Sequence, residues 1–473
     1  MVCAFLPLLK GALKDDTKSD NYRAIDLSSL ILKVIDNIIL IVWGDLLSLD
    51  CLQFGFKAGT GTSPCSWAVL EVVSMYHRQK GSVKAACLDL SKAFDKCLFS
   101  ALFLKILNCG VSAIVVRGLL AMYSMQKCHI RWTPSKVISR TFSVSNGTKQ
   151  GSCLSPCLFA IYMDELLQLL RRSGIGCHVL DLFAGAFFYA DDLIILAPTR
   201  QALQEMLTIC EDYATQHNMI FSVNEDPKKS KSKCIFFKYG REETPERLIL
   251  NGKPLPWVET IEHLGHTIHE SGKQESDCSQ ARAKFCEKSN EILSMFDFAH
   301  PLQKLTAINV YCNDWYGSML WDLYGDAAGR AFRAWNTTVK IACGLDRATH
   351  TYIVEHFLSG NMPSVRQQII TRYIKFVGNL LQTTNPVISL LATLSVNCAQ
   401  SITGKNLLNI KEEFGLDPLK VSRHKFIVKK TDLSVDNFVI LNLLDEFYRV
   451  KYLEENKDIQ AEIDGLIMCL CTS

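Results

Sequence analysis

The sequence lacks three features that would place it at once in a specialised class: a large net charge, paired cysteines and a long uncharged hydrophobic run. Its 51 Lys and Arg residues nearly balance 48 Asp and Glu residues, for a formal net charge of +3. Any contact with nucleic acid must therefore come from local basic clusters rather than from a global field. The 19 cysteines include no Cys-x-x-Cys pair and no Cys/His set at zinc spacing, which argues against secreted disulfide proteins and zinc fingers.

Neither a targeting signal nor a membrane span is predicted. The apolar segment Met1–Leu9 has no leading Lys or Arg, unlike a signal peptide. The hydrophobic stretch 28–49 is interrupted by Lys33, Asp36 and Asp45, whereas spanning a bilayer takes about 20 mostly uncharged residues. We expect a buried amphipathic helix there, and an intracellular protein with no membrane partner. The sequence does not distinguish the nucleus from the cytoplasm.

What the sequence does contain is the pattern of a globular α+β protein. Hydrophobic residues make up 48% of the 473 residues, enough for a sizeable core and about three units at roughly 150 residues each. Strand-length runs are Ala85–Leu90, Phe187–Leu196 and Cys234–Tyr239, and helical runs are Ser66–Arg78, Pro156–Arg172 and Gln201–Gln216. After about residue 270 the strand signals fade and helical periodicity takes over, with a softer change near 360.

Two adjacent carboxylates, Asp191 and Asp192, interrupt an apolar run and are the only charged residues between Leu182 and Thr199. Burying unpaired anions side by side is costly. The pattern fits either a hairpin turn with a solvated Asp-Asp pair or a site for a divalent cation. Because neither Asp has the freedom of glycine at positive φ, the pattern favours the metal site.

A third carboxylate, Asp89, ends the strand-like run that starts at Lys84. It is suited to a site built at the end of a sheet, although an N-terminal cap for the following helix explains it equally well. Asp95, within that helix start, is expected to be structural and to bond locally.

A glycine-containing loop precedes the helix predicted at Pro156–Arg172. Gly147 and Gly151 flank a Lys-Gln pair, so the backbone could come close to a flat or phosphorylated ligand. Ser155 is predicted as the N-cap of the helix and Pro156 as its first residue. Taken without its neighbours, the segment is an ordinary loop that leads into a helix.

The order of these segments resembles that of reverse transcriptases, in particular the non-LTR, LINE-like retrotransposon branch. The matching segments, over about residues 5–345, are Leu88–Asp95 (motif A), Gly147–Pro156 (motif B), Tyr189–Asp192 (motif C), Asn224 with Lys231–Cys234 (motif D), Asn21–Ile25 and Gln53–Lys57 (fingers motifs), and His263–Gly265 (primer grip). Seven motifs in family order make a chance match improbable.

The resemblance implies a right-hand polymerase with an α+β architecture. Fingers and a palm with an antiparallel sheet would occupy residues 1–270, a helical thumb 271–358, and a helical C-terminal region of unknown role 359–473. The implied function is RNA-directed DNA polymerase activity, that is, template-directed deoxynucleotidyl transfer to a primer 3′-hydroxyl. The implied partners are an RNA template, a DNA primer and deoxynucleoside triphosphates.

The resemblance also implies a two-metal mechanism. Asp89 and Asp191 would hold two Mg²⁺ ions, or Mn²⁺ in their place, with Asp192 a weaker or orienting ligand. Lys231 would donate a proton to the leaving pyrophosphate, although Lys229 and Lys233 remain alternatives because an insertion-like stretch shifts the alignment.

The remaining implied roles concern nucleotide, template and primer. Phe94 stands at the steric-gate position, where a ring would exclude a ribose 2′-hydroxyl, although a core aromatic is the alternative. The set expected to contact nucleotide or template further includes Gln150, Gly151, Lys149, Arg23 and Lys57, with Lys10 either joining them or lying on a solvated face. His263, Leu264 and Gly265 would form the primer grip.

The sequence departs from the family pattern at several of these positions. Lys57 and Lys149 stand where the family usually has Arg. A lysine keeps the charge but cannot bind phosphate in the bidentate manner of arginine. His263 replaces an aromatic residue. No nicking endonuclease is recognisable, so the chain is expected to be the polymerase portion of a retroelement, with an endonuclease supplied elsewhere. The alternative from another class is a catalytically inert relic that only binds RNA or acts as an interaction scaffold.

Overall fold

A computed structural model describes residues 2–11, 15–46, 49–57, 59–132, 137–224, 226, 229–242, 245–350 and 364–415. The chain divides into two compact units between Leu264 and Gly265, close to the change of sequence pattern near residue 270. Each unit is described separately below.

The first unit contains fifteen strands and seven α-helices among its described residues. The strands are β1 (Val2–Leu9), β2 (Tyr22–Leu27), β3 (Val83–Asp89), β4 (Lys127–Trp132), β5 (Val137–Ile138), β6 (Phe142–Ser143), β7 (His178–Val179), β8 (Leu182–Phe183), β9 (Ala186–Tyr189), β10 (Asp192–Ala197), β11 (Lys233–Phe237), β12 (Leu248–Leu250), β13 (Lys253–Leu255), β14 (Trp257–Val258) and β15 (Thr260–His263). The helices are α1 (Leu30–Trp43), α2 (Thr62–Arg78), α3 (Ala93–Lys96), α4 (Phe99–Asn108), α5 (Ala113–Ser124), α6 (Ser155–Arg172) and α7 (Arg200–Gln216).

A five-stranded sheet with the order β14-β11-β3-β10-β9 forms the centre of this unit. Its strands pair antiparallel, except for the parallel pair β11 and β14. The middle strand β3 and its neighbour β10 are mostly apolar. Residues 193–197 of β10 are at most 1% exposed. Strands covered on both faces read as continuous hydrophobic runs, which is why the sequence identifies them well. The antiparallel sheet predicted from the motifs is thus confirmed.

A second sheet, with the order β2-β1-β4-β5 and β6 also on β4, lies nearer the N-terminus in sequence. β1 pairs antiparallel with β2 and parallel with β4. Consequently, the second sheet joins segments that are more than a hundred residues apart in the chain. It brings the first fingers motif, on β2, beside the loop that precedes α6.

The three helices predicted from apolar periodicity are confirmed as α2, α6 and α7. The predicted cap of α6 is wrong in one detail, because Ser155 is already helical and Leu154 stands at the N-cap position. The Ser152 hydroxyl accepts hydrogen bonds from the backbone N–H groups of Leu154 and Ser155, at 3.1 and 3.4 Å. Pro156 is accordingly the second helical residue, not the first as predicted.

The segment predicted as a buried helix forms α1, but α1 is a surface helix. Only Leu32, Asp36 and Ile39 on it are buried, while Leu30 is 77% and Ile41 83% exposed. Apolar spacing alone could not tell a core helix from one that leaves an apolar face uncovered. Nowhere in the described ranges does the chain form a helix with both the length and the apolar character needed to cross a bilayer.

The second unit is helical in its described part apart from β16 (His266–His269). Its helices are α8 (Glu275–Met295), α9 (Pro301–Cys312), α10 (Asp326–Ala342), α11 (Val365–Gln382), α12 (Pro386–Val396) and α13 (Ile402–Phe414). Trp315, Trp321 and Trp335 are buried in one core that includes residues of α8 to α11 and α13. The predicted boundary at 358 and the segment after 415 lie outside the described residues.

Candidate active site

A tight hairpin joins β9 to β10 and carries two adjacent carboxylates. Tyr189 pairs with Asp192, so the two turn residues are Ala190 and Asp191. Asp192 already belongs to β10, and the positive φ of the turn, +59°, falls on Ala190. The alternative of a two-residue Asp-Asp turn is therefore contradicted, since the register is offset by one residue.

Asp89 lies directly across from Asp192, because it is the last residue of β3 and Asp192 is the first residue of the antiparallel β10. The alternative role of Asp89, as a helix cap, is contradicted. The N-cap position of α3 is Lys92, which makes no side-chain cap bond. Three carboxylates thus meet at one edge of the central sheet, as the sequence predicted.

The carboxylates at this edge oppose each other's ionisation. Burial, followed by the negative charges of Asp191 and Asp89, raises the pKa of Asp192 to about 6, even though Asp192 is partly exposed. Burial also raises the pKa of Asp191, with a further contribution from Asp89, while Lys231 and Arg23 oppose the shift. Clusters of this kind, in which burial and like charge act together, are typical of functional sites.

Lys231 is the lysine that reaches this cluster. Its Nζ lies 3.1 Å from Oδ2 and 3.4 Å from Oδ1 of Asp89, and the Lys231 side chain is 67% exposed. Of the two alternatives, Lys229 pairs with Asp226 at 3.6 Å, and Lys233 opens β11 opposite Cys87. Geometry therefore favours Lys231 among the three candidates.

The donor set at this edge has the chemistry of a site for a hard divalent cation. Carboxylate oxygens are the ligands that Mg²⁺ and Mn²⁺ prefer. Across the residues that the structure describes, however, no three His, Cys, Asp or Glu side chains already stand in an arrangement that would hold a metal ion. Asp89 is instead engaged by Lys231.

Phe94, five residues after Asp89, lies at the start of α3 and is half-buried. Its ring stacks on Phe159 of α6 at a centroid distance of 4.5 Å and meets the edge of Phe56 at 6.3 Å. Its carbonyl accepts a hydrogen bond from the Thr148 N–H at 2.7 Å. The ring is held on both sides, so either of the roles predicted for it is compatible with its position.

Gln150 and Asp95 are joined by a hydrogen bond from the Gln150 amide to Asp95 Oδ1, at 3.2 Å. The Asp95 side chain therefore bonds to the glycine-containing loop, which corrects the sequence expectation, and only its backbone N–H bonds locally, to the Lys92 carbonyl at 3.0 Å. Both residues also line a cavity of about 790 Å³ whose other walls include Tyr22 and Trp132. These two rings pack against each other at 5.2 Å.

The two glycines of the loop approach the chain itself. At Gly147, φ is +93°, and a Cβ would lie 3.0 Å from the Phe94 carbonyl oxygen. At Gly151, φ is +119°, and a Cβ would lie 2.8 Å from the Asp26 carbonyl oxygen. Both glycines thus allow a close approach of protein backbone, while the predicted approach of this loop to a ligand stays a prediction.

Lys149 faces the interior, contrary to its expected contact with nucleotide or template. It is 8% exposed, and its ammonium lies 4.6 Å above the Tyr123 ring. Its charge also opposes the raised pKa of Asp36, which is caused mainly by burial. A Lys in this position balances buried carboxylates beneath the loop.

The other basic candidates lie at the surface or partly so. Arg23, on β2, is exposed, and its charge partly opposes the burial that raises the pKa of Asp191. Lys10 is exposed, and its charge partly opposes the burial that raises the pKa of Asp95. Lys57 is partly exposed, and its carbonyl accepts a hydrogen bond from Thr60. Arg23 and Lys10 thus contribute positive potential near the acidic residues.

The predicted primer-grip residues span the boundary of the two units. In the first unit, His263 is buried, and its Nδ1 lies 2.9 Å from the Ser66 hydroxyl of α2. Leu264 and Gly265 both have positive φ, at +52° and +80°. The chain therefore turns sharply at this point.

Sequence reasoning missed one contact at the site. Gln53 and Gly55 of the second fingers motif contact the turn at Ala190. The signal available in the sequence was the Gln-x-Gly spacing, which was used only to recognise the motif.

Comparisons with known proteins agree with the motifs. Residues 13–268 match the model of the family described as reverse transcriptase (RNA-dependent DNA polymerase). The chain is 29% identical over 199 residues to the Pol polyprotein of the type-2 retrotransposable element R2DM of Drosophila melanogaster, covering 41% of this chain and 18% of that protein. It is 27% identical over 273 residues to the 115 kDa protein of the type-1 element R1DM of the same organism, covering 56% and 24%.

Among solved structures, apo telomerase of Candida tropicalis matches with a TM-score of 0.40 at 10% identity, covering 89% of this chain and 67% of that one. The chain spans about a quarter or less of the length of the two retrotransposon relatives. The predicted α+β class is confirmed by the elements of the first unit, and the resemblance of the motifs to reverse transcriptases is confirmed by the family match. With more than half of its residues matching the family model, the chain belongs to the reverse transcriptase (RNA-dependent DNA polymerase) family.

Proposed function

We propose that this chain is an RNA-directed DNA polymerase that adds deoxynucleotides to the 3′-hydroxyl of a primer. The observation that carries the proposal is the meeting of Asp89, Asp191 and Asp192 at one edge of the central sheet, in a chain of the reverse transcriptase family.

The carboxylates fit a pair of Mg²⁺ ions, or Mn²⁺ in their place. Asp89 and Asp191 would be the principal ligands, with Asp192 weaker or orienting. When bound, such ions stabilise charge on the attacking and leaving oxygens of an in-line displacement. On binding them, Asp89 would exchange its ion pair with Lys231 for the cation.

The proposal gives Lys231 two functions in sequence. Its Nζ carries a proton and neutralises Asp89 before substrate arrives. Once Asp89 binds the cation in place of Lys231, the exposed Lys231 side chain can move and donate that proton to the leaving pyrophosphate, as a general acid. The flexible four-carbon stem of lysine suits such a movement.

Selection of the nucleotide is proposed to take place between Phe94 and the glycine-containing loop. Phe94 would exclude a ribose 2′-hydroxyl with a ring that packs against Phe159 and Phe56. Gln150 and Gly151 would line the nascent base pair. Arg23 and Lys57 would contact triphosphate or template phosphates, whereas Lys149 supports the loop from below.

The remaining parts of the proposal concern organisation and partners. We assign fingers and palm to residues 1–270, a thumb to 271–358, a primer grip to His263–Gly265, and no role to 359–473. The partners are an RNA template, a DNA primer and deoxynucleoside triphosphates. A nicking endonuclease would act from elsewhere. All described cysteines are free thiols, which is consistent with a reducing, intracellular setting.

Primer extension tests this function. A DNA primer annealed to an RNA template is supplied with deoxynucleotides and Mg²⁺, with ribonucleotides in a parallel reaction and EDTA in a third. The proposal expects extension that requires deoxynucleotides and metal. Binding of the primer–template without extension would favour the inert relic instead, and an absence of both would contradict the proposal.

A further inference from the structure

The second fingers motif is attached to the central sheet at the hairpin that carries Asp191. The Phe54 N–H donates to the Phe188 carbonyl at 2.8 Å, and the Phe188 N–H donates to the Leu52 carbonyl at 2.9 Å. Gln53 and Phe188 form a parallel bridge. The segment Leu52–Gly55 thus continues the sheet beyond β9, the strand that leads into the turn.

The side chain of Gln53 reaches from this segment into the turn. Gln53 is fully buried, and its Oε1 accepts hydrogen bonds from the N–H of Gly55 at 2.9 Å and of Ala190 at 3.2 Å. Because both partners are N–H donors, the oxygen of the amide must face them. One acceptor therefore ties the motif to the residue directly before Asp191.

Gly55 allows the two segments to come this close. A Cβ on Gly55 would lie 2.2 Å from the backbone nitrogen of Ala190 and 3.0 Å from its Cα. Both of these atoms are backbone and cannot rotate away, so any side chain at this position would push the turn outward.

The turn requires support from outside. Ala190 has φ +59°, a conformation that costs free energy for any residue other than glycine and persists where the surroundings hold it. Ala190 is also buried. Without the Gln53 acceptor, its N–H would lose the partner that fixes this conformation.

We propose that Gln53 and Gly55 are positioning residues that hold the Ala190–Asp191 turn and thereby aim the Asp191 carboxylate. The role of this motif is then to hold, from its place beside β9 in the central sheet, the side chain proposed to bind metal, in addition to any contact that Lys57 makes with substrate. The proposal rests on the proposed function, since it assumes that the direction of Asp191 matters for catalysis.

The test replaces Gln53 with methionine, which keeps the length of the side chain and removes the acceptor. Misplacement of a reacting group by 1 Å can cost about 100-fold, so Gln53→Met should lower kcat by about that factor. KM for the nucleotide should change little. Binding of Mn²⁺, followed by electron paramagnetic resonance without substrate, should weaken.

A matched control is available in the same unit. Gln204 also uses its Oε1 to accept a backbone N–H, that of Ile249, at 2.8 Å, but it lies on α7 and serves β12. Gln204→Met should leave kcat and Mn²⁺ binding unchanged. If both variants lose activity alike, general destabilisation explains the effect and the positioning role is refuted.

Rescue distinguishes positioning from a structural role. Glycine adopts positive φ without strain, so Ala190→Gly should recover about 10-fold of the kcat lost in Gln53→Met. No recovery, or an undiminished kcat in the folded Gln53→Met variant, would overturn the proposal.

A measurement on the unaltered protein guards against a variant that does not fold. We call the contact of Gln53 and Gly55 with the Ala190–Asp191 turn the clamp. Amide hydrogen exchange should find the N–H groups of Gly55 and Ala190 protected, as buried bonded amides are. Exchange as fast as in an open loop would refute the clamp. Exchange and Mn²⁺ binding need no polymerase activity. If primer extension fails but Ala190 is protected and Gln53→Met weakens Mn²⁺ binding, the proposed function is wrong while the clamp stands.

Discussion

Replacing Asp192 with asparagine should stabilise the metal-free protein, and only at pH values where the carboxylates are charged. Asp192 pairs across the sheet with Asp89 and follows Asp191 in the chain. When Asp192 ionises, its negative charge is therefore repelled by the charges of both residues. Asparagine has nearly the same shape and removes that charge. If Asp192 instead stabilised the fold, Asp192→Asn would lower the stability of the metal-free protein.

The magnitude follows from the raised pKa. The pKa of Asp192 is about 6, against an ordinary value of 3.8, a difference of about two pH units worth about 3 kcal/mol if the group were fully buried. Because Asp192 is partly exposed and its charge is screened, we expect about 1 kcal/mol. In a unit of this size that free energy corresponds to a rise in Tm of about 2–4 °C.

The pH dependence has a definite sign. Below about pH 3.8 Asp192 is protonated in the folded and unfolded chains, and the substitution should have little effect. As pH rises, the unfolded chain loses the proton first, so the folded protein is progressively destabilised until about pH 6. The advantage of Asp192→Asn should therefore appear between these values and be complete at pH 8.

The assay is thermal unfolding in EDTA at pH 4, 5, 6 and 8, with Asp181→Asn as the control. Asp181 is an exposed carboxylate of the same unit and lies outside the cluster. Equal Tm values for Asp192→Asn and the parent at pH 8, or an advantage that does not shrink towards pH 4, would refute the electrostatic reasoning.

Three further predictions concern single residues. Phe94→Ala should reduce discrimination against ribonucleotides by about 10–100-fold, measured as the ratio of kcat/KM values; unchanged selectivity would return Phe94 to a core role. Lys231→Met should lower kcat by about 100-fold, whereas Lys229→Met, which loses only the pair with Asp226, should not. Gly151→Ala should cost about 1–3 kcal/mol, read from Tm. Gly174→Ala, which has a positive φ but open space around it, should cost less.

The central sheet and its carboxylates could be predicted because their physical signals are local. β3 and β10 are buried on both faces, so charge can occur only at their ends, and the positions of Asp89 and Asp192 stand out in the sequence. Helices α2, α6 and α7 show a 3.6-residue period because one face of each packs against the interior.

The errors came from features that depend on distant parts of the chain. The burial of Lys149 depends on Tyr123 and on carboxylates that β2 and α1 bring beneath the loop. The hydrogen bond between Asp95 and Gln150 joins residues 55 apart. The contact of Gln53 with Ala190 spans 137 residues. Nothing in the local sequence encodes such pairings, so a pattern identifies these residues without revealing what they touch.

The most direct test of the central claim is a single-turnover comparison of Asp191→Asn with Asp181→Asn on a DNA primer and an RNA template in Mg²⁺. Both substitutions remove one carboxylate charge from the same unit, but only Asp191 lies in the cluster beside Asp89. The account predicts that Asp191→Asn binds primer–template as the parent does and extends it at least about 1,000-fold more slowly, while Asp181→Asn extends normally. Extension by Asp191→Asn at a rate near that of the parent would contradict it.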